Sequence, residues 1–476
     1  MSFAFRIIVD IVGPNVRWRY LMRLARVAAV SALLVLFAVL KSRAQEEIRQ
    51  EVPTPSSVDQ SITPIERSFE PPPERPALFP RLREELKDAP PFFRDAKIDL
   101  NVRSYYLDST NLDGSKSEAW AGGGALSLQS GYLFDRLSVG TTLYTSQPLY
   151  APLDRDGTLL LQSGQRGYTA LGQLYADVKV VDRNYLNLYR HIYDTPYLNQ
   201  NDNRMTPNTF EGYTFTGSSG GANEEPAVRY GVGYVAKIKN RNSENFISMS
   251  RSAGANVDRG VAIAGALYSA GPFSIGAIEY YSSDIISIAY GEGKYLTPVF
   301  GGIKALVAMQ YVYQRSVGAN LLTGSAFATN QFGMKAEMSR SNGIVTFAYS
   351  IAGSGANLQD PWSGNPSYTG AMVQSFNHAG EQAALVEASH DFSLIGFKGV
   401  TAYALFAHGW AGATAPGTPP LTRENEIDLD LQWRPQWNGL NGVWLRGRYG
   451  YAKVDQGTQT STRELRFILN YDVAFF

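Results

Sequence analysis

From Ala96 to Phe476 the polarity of the chain repeats every second residue. Ile98, Leu100 and Val102 share one face of a short stretch, and Asp99, Asn101 and Arg103 share the other. In 228–239, Val228, Tyr230, Val232, Tyr234, Ala236 and Ile238 oppose Arg229, Lys237 and Lys239. In 424–434, Ile427, Leu429, Leu431 and Trp433 oppose Glu424, Glu426, Asp428, Asp430 and Gln432. Alternation over about ten residues predicts a strand with one apolar and one polar face. The clearest stripe comes last. Leu465, Phe467, Leu469, Tyr471, Val473 and Phe475 face one way, Arg466, Ile468, Asn470, Asp472 and Ala474 the other, and the sequence stops at Phe476.

The connections fall into two kinds. Asp135-Arg136, Asp182-Arg183-Asn184 and Ser341-Asn342-Gly343 are tight-turn sequences, and 432–443 holds a longer turn around Pro435 and Gly439. Between them lie long polar segments at about 146–166, 192–209, 351–381, 409–423 and 455–462. Short turns at one end and long loops at the other are the habit of an outer-membrane barrel. A soluble sandwich has no reason for that asymmetry. Candidate strands number roughly eighteen or nineteen, and placing both ends of the barrel on one side of the membrane selects eighteen. The uncertain stretch is 218–290, where turns and loops are equally short.

The segment before the alternation has a different character. An apolar run, Val27–Leu40, follows Arg17, Arg19, Arg23 and Arg26 and precedes Ser42-Arg43-Ala44. A basic flank, a short apolar core and a small-x-small site predict a secretory signal cleaved after Ala44, with Met1 or Met22 as its start. A spanning helix needs about 20 apolar residues, and this run is shorter. No other run is long enough to span as a helix, so membrane embedding falls to strands. The expected organisation is therefore a signal at 1–44, a Pro-rich periplasmic leader or linker at 45–94 and a barrel at 95–476. In the leader, Pro53, Pro55, Pro64, Pro71, Pro72, Pro73, Pro76, Pro80, Pro90 and Pro91 predict an extended arm without helix or ladder.

Composition fits this picture. The 476 residues include 28 Tyr and 45 Gly, and the mean hydropathy is −0.19. Aromatic, Gly-rich and polar on average is a barrel composition, shared with large soluble all-β proteins. Lys+Arg and Asp+Glu are equal at 43 each, without the basic excess of a nucleic-acid binder. The absence of cysteine excludes disulfides and thiolate chemistry.

Several blocks resemble the OprD-type outer-membrane porins. Leu100-Asn101-Val102-Arg103-Ser104-Tyr105-Tyr106 is similar to that family's opening Arg-x-Tyr-Tyr strand. Arg204-Met205-Thr206-Pro207-Asn208-Thr209-Phe210-Glu211-Gly212 is similar to the stretch that ends its constriction loop. Leu445-Arg446-Gly447-Arg448 and Glu464-Leu465-Arg466-Phe467-Ile468-Leu469-Asn470-Tyr471 are similar to its last two strands. The resemblance implies an all-β transmembrane antiparallel barrel of about 18 strands, monomeric, with the third outer loop folded into the pore. It also implies passive transport without cofactor and a basic ladder along one lumen wall, matched here by Arg103, Arg446, Arg448 and Arg466. Leu405 stands where that family often carries a lumen Arg, so the ladder expected here is shorter.

The alternation reaches the same wall. Arg446 and Arg448 oppose Leu445, Tyr449 and Tyr451, Arg466 lies on the next strand, and Arg103 lies on the first, which closes against the last. A charge facing lipid costs roughly 2–4 kcal/mol at the midplane, so these arginines are expected inside. There they form an anion path, or they only pair with Asp428, Asp430 or Glu464 to fill the wall. Glu424, Glu426, Asp428 and Asp430 form an inward acidic row, read as an opposing wall that creates a transverse field or as simple neutralisation. The constriction loop is expected at 192–209, with Asp194, Asn199, Asn201, Asp202, Asn203 and Arg204.

Catalytic chemistry finds little support. His191, His378, His390 and His408 form no metal spacing, and Gly122-Gly123-Gly124 opens no helix and reads as a strand bend. The sequence thus predicts a passive, non-enzymatic channel of the Gram-negative outer membrane for small polar solutes, favouring carboxylate nutrients such as amino acids, peptides or organic acids. Its expected partners are outer-membrane lipid, lipopolysaccharide, and the barrel-assembly machinery through the strand ending at Phe476. Two rivals share the pattern: a non-selective or chitooligosaccharide pore, and a plugged barrel acting as enzyme or adhesin.

Overall fold

Successive strand side chains turn alternately inward and outward, and the hydrogen-bond ladder closes on itself. The computed structural model describes residues 76–221, 226–410, 412, 421–437 and 440–476. The expected export signal and most of the Pro-rich stretch lie outside the described residues. Seven strands lead: β1 (Lys97–Thr110), β2 (Lys116–Gln129), β3 (Leu137–Tyr150), β4 (Tyr168–Val181), β5 (Asn184–His191), β6 (Thr209–Gly220) and β7 (Ala227–Lys239). A three-residue strand, β8 (Phe246–Ser248), pairs with β7 alone inside the following loop. The ring resumes with β9 (Val261–Ala270), β10 (Phe273–Ser282), β11 (Ile286–Pro298), β12 (Lys304–Ser316), β13 (Ala328–Arg340) and β14 (Gly343–Ala352). It ends with β15 (Gln382–Asp391), β16 (Val400–Trp410), β17 (Arg423–Trp433), β18 (Val443–Asp455) and β19 (Gln459–Ala474). Each ring strand pairs antiparallel with its sequence neighbours, and β19 pairs with β1 from Asp99↔Ala474 to Thr110↔Arg463. The result is a closed barrel of 18 strands, as the parity argument selects. Closure leaves no strand edge to satisfy in lipid.

The outward face is apolar. Ile427, Leu429, Leu431, Phe467 and Leu469 are exposed, while their neighbours Glu426, Asp428, Asp430, Arg466 and Ile468 are buried inside. The end that carries residue 97 has turns at 182–183, 271–272 and 341–342. The other end carries the loops 151–167, 192–208, 240–260 and 353–381.

Four details depart from the sequence expectation. β19 begins at Gln459, so the loop expected at 455–462 shrinks to 456–458. The polar residues Thr460, Ser461 and Thr462 alternate within the ladder near the solvent end. In β7 the pairing slips between Glu211 and Gly212 of β6, leaving Ala236 unpaired as a bulge. The extra residue reverses the faces, so Tyr234 points out while Ile238 is fully buried within. Part of the interior is apolar: Tyr280, Ile286, Ile288 and Tyr290 pack against Tyr197, Leu198 and Trp362 from two inward loops. Last, the Pro content predicts no helix before β1, yet α1 (Pro80–Glu85) and α2 (Pro91–Arg94) form there. Each has proline in its first turn, where the missing N–H is not needed. Just before α1, Leu78 and Phe79 donate to the carbonyls of Ala474 and Phe475 at 2.9 and 2.7 Å. This segment runs along the end of β19 beyond the last β18 partner, Tyr471.

Candidate functional site: a charged constriction between two inward loops

Two loops cross the lumen. In loop 192–208 the Tyr197 N–H donates to Tyr280 Oη on β10 at 3.1 Å, and the Asn203 carbonyl accepts from Tyr105 Oη on β1 at 3.1 Å. It therefore spans the barrel, as expected for the constriction loop. Asp202 and Arg103 form a bidentate pair, Nη1–Oδ1 2.6 Å and Nη2–Oδ2 3.0 Å. Arg103 Nη1 also donates to the Arg204 carbonyl at 2.6 Å. Asp194 accepts from the side chains of Asn199 and Gln200, so Asp194 and Asn199 brace the loop itself. Asn201, Asn203 and Arg204 line the channel.

Loop 353–381 is the second constriction, and the sequence reading treats it only as a surface loop. Its Leu198↔Ser363 bridge ties it to the first loop, and Tyr368 Oη donates to Glu292 on β11 at 2.5 Å. On the far side, Met372 N donates to Asp428 at 3.0 Å, and Val373 N and Gln374 N donate to Glu426 at 2.7 and 2.6 Å. Charge-assisted bonds of this kind are worth about 1.5–3 kcal/mol each. The signal was present in the sequence as the acidic row, but its partners are backbone amides, invisible to residue-type reasoning.

That row is not an opposing wall. Glu424, Glu426, Asp428 and Asp430 lie on β17, next to β18, and Asp430 is the cross-strand partner of Arg448. Asp430 Oδ2 meets Arg446 Nη2 at 2.8 Å and Arg448 Nε at 2.7 Å. The reason is topological: consecutive strands of a barrel are neighbours and cannot face each other across the lumen.

The basic residues do gather. Arg204, Arg241, Arg448 and Arg466 line a cavity of about 610 Å³ in the constriction, with Glu464 among them. Arg466 is bound to Glu464, and Arg204 Nη2 lies 3.7 Å from the same carboxylate. Arg241, in loop 240–260, was missed in the sequence because no alternation marks a loop residue as inward. It donates to the Asn203 amide oxygen, not to a carboxylate. Burial and the guanidiniums of Arg204 and Arg466 lower its pKa to about 9. Burial and Arg466 lower Arg204 likewise. Cations that destabilise one another are positioned to gain from an anion. Further round the same cavity stand Glu337 of β13, Glu387 of β15 and Asp360 of the second loop. Leu405 and Tyr403 of β16 are buried and line it between the two charged regions.

A closed barrel with an apolar outer band and a lumen narrowed to a charged constriction is an outer-membrane diffusion channel, located in the Gram-negative outer membrane. The chain belongs to the OprD family of outer membrane porins, which are substrate-specific channels: that family, described as "outer membrane porin, OprD family", matches residues 90–475. Among solved structures it is similar to Pseudomonas aeruginosa OccK9 (OpdG), with 24% identity and TM-score 0.72 over 81% of this chain and 100% of that one. It is also similar to P. aeruginosa OpdK with vanillate, at 21% identity and TM-score 0.71 over 80% and 100%. Acinetobacter baumannii OccAB1 matches at 16% identity and TM-score 0.71 over 82% and 100%. A search of curated proteins finds no match.

Proposed function

We propose that this porin passes small carboxylate-bearing nutrients such as amino acids, peptides or organic acids, passively and without cofactor. The observation that carries this reading is the convergence of Arg204, Arg241, Arg448 and Arg466 on one cavity. Guanidinium binds carboxylate bidentately and stays charged at physiological pH. Distribution over several arginines gives weak successive contacts, which an anion can enter and leave. Arg103 and Arg446 support the wall through Asp202 and Asp430 rather than standing free in it. One solved relative holds vanillate, an aromatic carboxylate, in its structure. The apolar-aromatic outer stripe of β19, with Leu465, Phe467, Leu469 and Tyr471, supports handling by the barrel-assembly machinery, with insertion among outer-membrane lipid and lipopolysaccharide as a monomer.

Reversal potential in a planar bilayer under a salt gradient tests the reading, alongside liposome swelling with carboxylates and neutral sugars. Anion preference with faster carboxylate entry is expected. A channel without ion preference that admits sugars equally well refutes it.

A further inference from the structure

We propose that His378, Glu381 and Glu424 bind a divalent transition-metal cation such as Zn²⁺, which staples loop 353–381 to β17. His378 and Glu381 close the loop, and Glu424 opens the strand. His378 Nδ1 lies 3.3 Å from Glu381 Oε2 and 3.7 Å from Glu424 Oε1. The three candidate ligand atoms lie within 4.8 Å of one another. Ligands about 2.1 Å from a tetrahedral zinc are ~3.4 Å apart, so these separations fit with small adjustments.

The second observation is the state of the carboxylates. Both side chains have 0% exposure. Both oxygens of Glu424 and Oε1 of Glu381 are buried, and among the described residues the only hydrogen-bond partner these oxygens have is the other carboxyl of the pair. Among the described residues, no lysine or arginine forms an ion pair with either. Two enclosed carboxylates side by side call for positive charge, and a dication would neutralise the pair. One imidazole with two carboxylates suits zinc-like ions better than Ca²⁺, which takes oxygen ligands. Gln456 lies 3.4 Å from His378 Nε2. With its amide oxygen turned there, it would hold the ring proton on Nε2 and leave the Nδ1 lone pair for the metal. His378 remains partly exposed, which leaves an entry path.

The test is calorimetric titration of the detergent-purified full chain with ZnCl₂ after EDTA treatment and dialysis. About one equivalent should bind, with affinity falling about tenfold or more in both Glu424→Gln and His378→Ala. Heat-modifiable gel mobility checks that the variants fold. Zinc-edge anomalous scattering from soaked wild-type crystals should place the ion between the three side chains. Zinc should also slow proteolysis within 353–381 in the wild type only. No zinc binding by the wild type, unchanged affinity in both variants, or tighter binding of Ca²⁺ than of Zn²⁺ overturns the proposal.

Discussion

Arg448 on β18 and Arg466 on β19 stand directly opposite each other across the strand pair. Like charges in that position destabilise a sheet. Each has its own counter-ion: Asp430 takes Arg448 and Glu464 takes Arg466. The arrangement keeps two guanidiniums side by side at the channel surface.

Replacing Arg448 by Gln should lower anion preference while the barrel still folds, since Asp430 keeps Arg446. A unit charge about 8 Å from a permeating ion, at an effective dielectric constant of about 40, contributes about 1 kcal/mol, or roughly fivefold in permeability ratio. The reversal potential of the variant reads this directly; an unchanged value removes Arg448 from the anion path.

Asp430 should matter more for stability than for selectivity. Its side chain is 1% exposed and serves two arginines. Asp430→Ala removes the carboxylate that both arginines share, a loss of about 3 kcal/mol or more by analogy with broken buried pairs. Denaturant titration of the detergent-solubilised barrel should show a clearly lower midpoint. Combining it with Arg446→Met and Arg448→Met should recover part of the loss.

Glu426 and Asp428 tether the second loop through its backbone amides. Glu426→Ala with Asp428→Ala should free that side of the loop. Single-channel conductance should rise and substrate discrimination fall. A variant with wild-type conductance would show that the loop is held by its other contacts.

Enclosure in the barrel raises the pKa of Asp360 to about 7. A carboxyl with a raised pKa is neutral at lower pH. Anion preference should therefore increase as pH falls through about 7 and below, as this negative charge is lost from the cavity. Asp360→Asn should give the low-pH selectivity at every pH, and a retained pH response in that variant would assign the effect elsewhere.

Much of this was legible in the chain. Alternation with a period of two separated Phe467 and Leu469 from Arg466, and Ile427 and Leu429 from Asp428, because a strand between lipid and lumen places successive side chains on opposite faces. The same alternation placed Arg103, Arg446, Arg448 and Arg466 inside. It failed at Ala236, where a bulge reverses the faces, and it did not reveal that the apolar side chains of Ile286 and Ile288 point inward to seat the loops. A residue's type does not disclose that the lumen beside it is already filled.

The local pattern by itself thus determined an eighteen-strand ring and the inward set of its charges, because both follow from the pleat and from parity. Only the tertiary structure decided what those charges meet. Asp430 found its arginines on the neighbouring strand, Glu426 and Asp428 found amides of a loop more than fifty positions earlier, and Arg241 entered the site from a loop. Such contacts join segments distant in the chain, and the path of a loop through the lumen is fixed by three-dimensional packing that no periodicity encodes.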